Sequence, residues 1–176
     1  MRVEIEKLTN ERILREACSF TSSAPSSMTL AKIYKCEHSP IRTQIFIIKM
    51  YDIPTFVSVH LVRHKVGVEH WVKSNREDLP SYTGDTGRNH PVNHMMMLNA
   101  QALIQIMRKR LCGKAHAKVQ ELMGLICEEM QGVDFDLFTR LVPDCVYRSG
   151  CYELKTCGRF YQLTFGESIP KNEVHG

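Results

Sequence analysis

Arg63, His64 and Lys65 stand together at the head of the stretch LVRHKVGVEHWVKSNRED, which runs from Leu61 to Asp78. Three adjacent basic side chains, followed by Glu69, Ser74 and Arg76, are the residue types of a surface that holds an anion: a planar guanidinium fork, point charges and a neutral hydroxyl donor. A second group lies in NAQALIQIMRKRLCGKAHAKVQ. Asn99 and Arg110 are eleven residues apart, and so are Gln105 and His116. Eleven residues make about three helical turns, so each pair shares a face if one helix runs through both. Taken singly, each residue has a plainer reading. Arg110 and Gln105 can point into solvent, and a basic triplet is usually a solvated face.

These residues need elements to position them. VEIEKL alternates as a first or edge strand, and TNERILREACSF carries Ile13, Leu14 and Ala17 at helical spacing behind a Thr9 or Asn10 cap. Ser26 or Ser27 can cap a short helix through Tyr34, which HSP breaks. TQIFIIKM reads as a strand with Phe46, Ile48 and Met50 on one side. IPTFVSVHLVRHK is ambiguous: Val57, Val59 and Leu61 alternate, whereas Phe56, Val59 and Arg63 after Pro54 favour a helix. DLPSYTGDTGRNHP is a loop, and the pattern from about Val92 to Met130 reads as helix in two pieces bending near Gly113. In it Ala100, Leu103, Ile104, Met107 and Leu111 form the apolar stripe. VDFDLFTRL is another short helix, and the tail from Pro143 reads as irregular.

The chain has 176 residues, enough for one domain with a real core, and 43% of them are hydrophobic and 24% charged. A formal charge of +4 permits anionic ligands without requiring nucleic acid, and no nucleic-acid partner is expected. No apolar run reaches membrane-spanning length and the first residues carry no apolar signal region, which predicts a soluble, cytoplasmic protein. The seven cysteines are odd in number, and Cys145, Cys151 and Cys157 are each separated by five residues rather than the two to four of a zinc knuckle. They read as reduced structural cysteines, and no metal site is expected.

NAQALIQIMRKRLCGKAHA resembles, without a gap, the helix of flavin-dependent thymidylate synthases that reads N-A-R-S-L-x-N-F-x-x-L-R-x-x-x-x-A-Q. Asn99 and Ala100 match its opening pair, and Gln105 stands at a flavin-binding Asn. Arg110 matches the Arg that contacts the pyrimidine, and His116 replaces a flavin-contacting Gln. RHK is similar to the R-H-R of the signature R-H-R-x-x-S-x-N-x-x-S-x-R. HSPIRTQIFIIKM is similar to T-P-x-E-H-x-x-F-x-F, with Ser39 at a flavin-contacting Thr, and REACSF resembles A-R-x-S-F. These blocks stand in the family's order from Arg15 to about Phe138.

The resemblance implies an α+β fold, a small and mostly antiparallel sheet packed with long helices, in a single domain over 1–176 with a Cys-rich tail from about 143. It makes TFVSVHLVRHK helical. It implies reductive methylation of dUMP to dTMP, with FAD as flavin and methylene-tetrahydrofolate and NADPH as co-substrates, in a homotetramer with shared active sites. Arg110 would polarise the pyrimidine, with Ser74 beside it in the catalytic set, and Ser74 and Arg76 would clamp the nucleotide phosphate. His60 and Glu69 fall at further substrate-binding positions. Ser39, Arg63, His64, Lys65, Asn99, Gln105 and His116 would face the flavin.

The chain departs from the signature where Val68 and His70 replace its Ser and Asn, where Val72 stands at an acidic position, and where Ser74 and Arg76 fit only with one inserted residue. The family's middle segment with its substrate-binding Arg is missing, and Arg88 is a candidate to stand in for it. These changes motivate two rivals: carbon-5 modification of another pyrimidine nucleotide, such as hydroxymethylation, and a non-catalytic nucleotide-binding homologue. A zinc protein built on the C-terminal cysteines is a more distant one.

Overall fold

The computed structural model describes residues 1–21, 27–85 and 87–165. Strand β1 (Arg2–Lys7) leads through α1 (Glu11–Thr21), α2 (Leu30–Lys35) and a 3-10 turn (Ser39–Thr43) to the long β2 (Ile45–Pro54). Helix α3 (Thr55–Leu61), β3 (Val68–Val72), β4 (Pro91–Asn99), α4 (Ala100–Arg110) and α5 (Ala117–Val133) follow. The short α6 (Phe135–Phe138), α7 (Asp144–Tyr147) and α8 (Arg159–Phe165) complete the described chain. The sheet runs β1-β2-β4-β3 and every neighbouring pair is antiparallel. This is the expected α+β arrangement.

Alternation on the strands sorts the sheet into two faces. Phe46, Ile48 and Met50 of β2 stand beside Met96 and Leu98 of β4, and all are buried against Leu103, Ile104 and Met107 of α4 and the apolar side of α5. Burying such side chains is the main stabilising term, about 1.5–3 kcal/mol for each large one. Ile45, Ile47, Met95 and Met97 alternate onto the opposite face and stand half-buried outside that core.

Several expectations are corrected and one ambiguity is resolved in favour of the helix. Residues 92–99 are strand β4 and not the start of the long helix. PVNHMMMLN pairs antiparallel with β2, with a register shift between Met50 and Ile53, and Val92, His94, Met96 and Leu98 alternate inward with period two. The ambiguous IPTFVSVHLVRHK is strand to Pro54 and helix from Thr55 to Leu61. The tail from Pro143 contains α7 and α8 and is not wholly irregular. The cap of α2 is Thr29, whose side chain accepts from the Lys32 N–H; of the two serines expected there, Ser27 lies outside the helix and Ser26 outside the described residues.

A buried polar knot ties β1 to the helices. Asp134 Oδ2 accepts from Lys7 Nζ at 2.7 Å and from the Tyr34 hydroxyl at 2.9 Å, while Oδ1 caps α6 by accepting from the Leu137 N–H at 3.0 Å. The Asp134 side chain is 3% exposed. Burial, then the neighbouring carboxylate, pushes the Tyr34 phenol well above its ordinary range, so it stays a donor. Asp134→Ala leaves an ammonium and a buried hydroxyl without their acceptor and should cost about 3 kcal/mol. Tyr34→Phe removes one donor only and should cost about 1 kcal/mol. Urea unfolding of the two variants checks both the order and the gap.

Candidate active site

The basic triplet lies just beyond the C-terminus of α3. Helix α3 ends at Leu61, the chain turns through Val62–Lys65, and Gly67 at φ 72° starts the path into β3. Gly67 is required there on two counts. A Cβ would stand 2.5 Å from the Asn99 side-chain nitrogen, and the positive φ disfavours any other residue. The Asn99 N–H donates to the Gly67 carbonyl at 3.2 Å, and its side-chain oxygen caps α4 by accepting from the Ala102 N–H at 2.9 Å. Asn99 is therefore the seam between the triplet's turn and the long helix.

At the far end of α4 the second contact is made. Arg110 Nε donates to His64 Nε2 at 3.0 Å and its Nη2 donates to the His60 carbonyl at 2.9 Å. Asn99 and Arg110 thus share a face, as their spacing implies, and both grip the segment 60–67. His64 accepts at Nε2, so its own proton is on Nδ1 and the ring is neutral. Burial first, then Arg110 and His70, hold its pKa down to about 4.

Behind this lies a chain of hydrogen bonds that sequence reasoning did not find. His70 Nε2 lies 2.7 Å from the His64 carbonyl, His70 Nδ1 lies 3.0 Å from His94 Nε2, and His94 Nδ1 lies 3.0 Å from Ser58 Oγ. A carbonyl only accepts, so His70 donates from Nε2. With His70 neutral, His94 then donates to Nδ1 and Ser58 donates to His94. Ser58 and His94 are 3% and 2% exposed, and burial, then His70, lowers the His94 pKa to about 4. The period-two alternation of β4 was the available signal for His94, once that segment is read as a strand.

Positive charge converges on His60. Its pKa is lowered by burial first, then by Arg110, Arg63, His116 and Arg88, which come from four separate segments. Its Nδ1 is buried and has no hydrogen-bond partner among the described residues. Phe56 packs edge-on against His116, with ring centroids 4.7 Å apart, and against His60 at 6.4 Å. Arg88 enters this neighbourhood although it precedes β4, because its carbonyl accepts from the Phe56 N–H at 3.1 Å. Arg63 and Lys65 are both exposed.

Other candidates fall elsewhere. The pairing of Gln105 with His116 is corrected: α4 stops at Arg110 and His116 caps α5, accepting from the Lys118 N–H at 3.2 Å, so no single helix carries both. Gln105 is exposed on the side of α4 that carries Gln101 and Arg108, both bonded to Glu37, well round from Arg110. Ser39 opens the 3-10 turn that packs on α4. Glu69 is exposed on the sheet face opposite His70. Ser74 lines a recess of about 130 Å³ with Asn75 and Thr83, and Arg76 gives its fork to Asp78 at 2.9 and 2.5 Å. Among the described residues no hydrogen bond joins Ser74 or Arg76 to the Arg110 group. Trp71 is 49% exposed, so it is not core.

The cluster around His60 is polar, cationic and partly dry, and it offers an unpartnered ring nitrogen. That donor set fits a flat, anionic, hydrogen-bonding group such as a flavin dinucleotide or a nucleotide.

Solved structures of the same overall shape exist. Two crystal structures of the flavin-dependent thymidylate synthase from Helicobacter pylori, each with FAD and dUMP, superpose with a TM-score of 0.66 at 14% identity. They cover 81% of this chain and 100% and 99% of theirs. The chain therefore has the fold of that enzyme. No family model matches the sequence, and no curated protein matches it significantly.

The depressed histidines set a pH dependence. Free histidine titrates near 6.5, whereas His64 and His94 bind protons only near 4 in the fold. The unfolded chain therefore takes up protons first as pH falls. The stability these groups contribute is complete above about pH 6.5 and declines as pH drops towards 4. Melting temperatures across that window should fall more steeply for the natural chain than for His94→Gln measured against its own value at pH 7.

Proposed function

We propose that this chain is a flavin-dependent enzyme that methylates carbon 5 of dUMP to give dTMP. Methylene-tetrahydrofolate would supply the carbon and NADPH the reducing equivalents. The observation that carries the reading is the junction of Arg110 with His64 and the His60 carbonyl. It unites the two sequence blocks most similar to flavin-dependent thymidylate synthases, across 46 and 50 residues of chain. The shared fold supports the same reading.

When bound, FAD would supply the hydride chemistry. The protein residues bind and polarise. Arg63, Lys65 and His116 are proposed to hold the dinucleotide with Asn99 setting the turn, and the orphan nitrogen of His60 offers one further hydrogen bond. Arg110 is proposed to donate to a pyrimidine carbonyl as negative charge builds on the ring. Its guanidinium is pinned at two nitrogens, so it needs no reorganisation at the moment of reaction. Ser39 and Gln105 are retained as outer flavin contacts, and Ser74, Arg76 and Glu69 as nucleotide contacts.

A second reading, carbon-5 modification of a different pyrimidine nucleotide, draws on one observation. Arg76, proposed for the phosphate clamp, already gives its fork to Asp78. Parallel assays of dUMP and dCMP with methylene-tetrahydrofolate separate the two.

We further propose a homotetramer with shared sites, acting in the cytoplasm. Ile45, Ile47, Met95 and Met97 on the sheet face outside the core support an assembly. Among the described residues no helix is long and apolar enough to cross a membrane. The purified protein should show the absorbance of oxidised flavin, natively or after adding FAD. A colourless chain that takes up no FAD overturns the proposal, as does a stable flavin-bound monomer by light scattering for the assembly. Arg110→Lys should lower turnover about 100-fold, measured as dTMP formed per flavin, while flavin absorbance persists.

A further inference from the structure

Four of the seven cysteines gather around one cavity, remote in sequence from the basic triplet. Cys112 follows α4, Cys145 lies in α7, and Cys151 and Cys157 lie between α7 and α8. All four line a space of about 270 Å³. None is in a disulfide. Packing of α7 on α4 and of α8 on α7 brings them together, with Lys109 and Asp144 bridging the first pair at 4.0 Å. Gly113 admits the closest approach: a Cβ there would stand 2.7 Å from Cys157 Sγ. Cys151, Cys157 and Cys112 all lie within electrostatic reach of Cys145.

The wall of the cavity is basic. Arg108, Arg110, Lys114 and Arg148 contribute to it, against Asp144 and Glu153, which themselves sit beside Arg148 and Lys114. Zinc at about 2.3 Å from four sulfurs needs those sulfurs within about 4 Å of each other. Here the thiols stand round the wall, and among the described residues no three potential ligands already meet at one point. Space held between four separated thiols matches an iron–sulfur cluster, whose own iron and sulfide fill the middle.

We propose that Cys112, Cys145, Cys151 and Cys157 bind an iron–sulfur cluster, one thiolate to each of four irons. On ligation each thiol releases its proton to solvent, and no electron is exchanged with the protein. The proposal stands independently of the reaction assigned to the Arg110 site.

The test is elemental analysis of the full chain, purified without oxygen and, in parallel, reconstituted without oxygen from equal amounts of ferrous and ferric iron with sulfide. About four irons and four acid-labile sulfides per chain are expected, with no zinc. Cys112→Ser, Cys145→Ser, Cys151→Ser and Cys157→Ser should each lose most of the iron, and Cys36→Ser should keep it. Where a variant fails to fold, thiol alkylation of the natural chain replaces it: Cys36 should label at once, and the four cavity cysteines only after a chelator strips the iron. A chain free of iron after reconstitution, one zinc per chain instead, two disulfides, or four cavity thiols that label as fast as Cys36 would each overturn the cluster.

Discussion

The geometry of the site hangs on the junction where β4 becomes α4 without a loop. Asn99 is the last residue of the strand, paired with Ile45, and it is also the cap of the helix. Its side chain occupies the space a Cβ on Gly67 would need. Sheet register, helix start and the turn after the basic triplet are thus fixed by one residue. From that origin an α-helix advances about 1.5 Å per residue, so the position of Arg110 follows from the length of α4 alone. A shift of one residue at Asn99 would carry Arg110 about 100° round the helix and away from His64.

The electrostatics follow from the same packing. Arg110, Arg63 and Arg88 bring guanidinium groups to the neighbourhood of His60, while His64 and His94 are held neutral by burial, so the neighbourhood is positive but not saturated with protons. Fixed guanidinium charge beside neutral imidazole gives donors and acceptors in set orientations. Such an arrangement is paid for in folding and is ready before any ligand arrives.

Much of this was legible in the chain. The apolar stripe of α4, the β2 alternation and the shared face of Asn99 and Arg110 depend on local periodicity, and local periodicity is what a sequence displays. Strand β4 was missed because its three consecutive methionines are good helix formers and run straight into the α4 pattern, which hides an alternation visible in Val92, His94, Met96 and Leu98. The His70–His94 pair is a cross-strand contact between elements 24 residues apart, so no spacing rule could offer it. Cys112 was overlooked for a similar reason: only the packing of α7 on α4 joins it to Cys145. The pairing of Gln105 with His116 failed because the helix assumed to carry both ends six residues too soon.

With a neutral ring at His70, the bonds from Ser58 through His94 and His70 to the His64 carbonyl all point the same way. Each ring receives a proton's attraction at one nitrogen and offers one at the other, so the chain has a polarity, like a row of aligned magnets. No member of the neutral row can reverse alone without setting two donors or two acceptors face to face. The carbonyl at one terminus cannot donate, so the bond at that end is fixed in direction and complete reversal is forbidden. The row thus ties a sealed hydroxyl, through two imidazoles, to the backbone that carries the basic triplet.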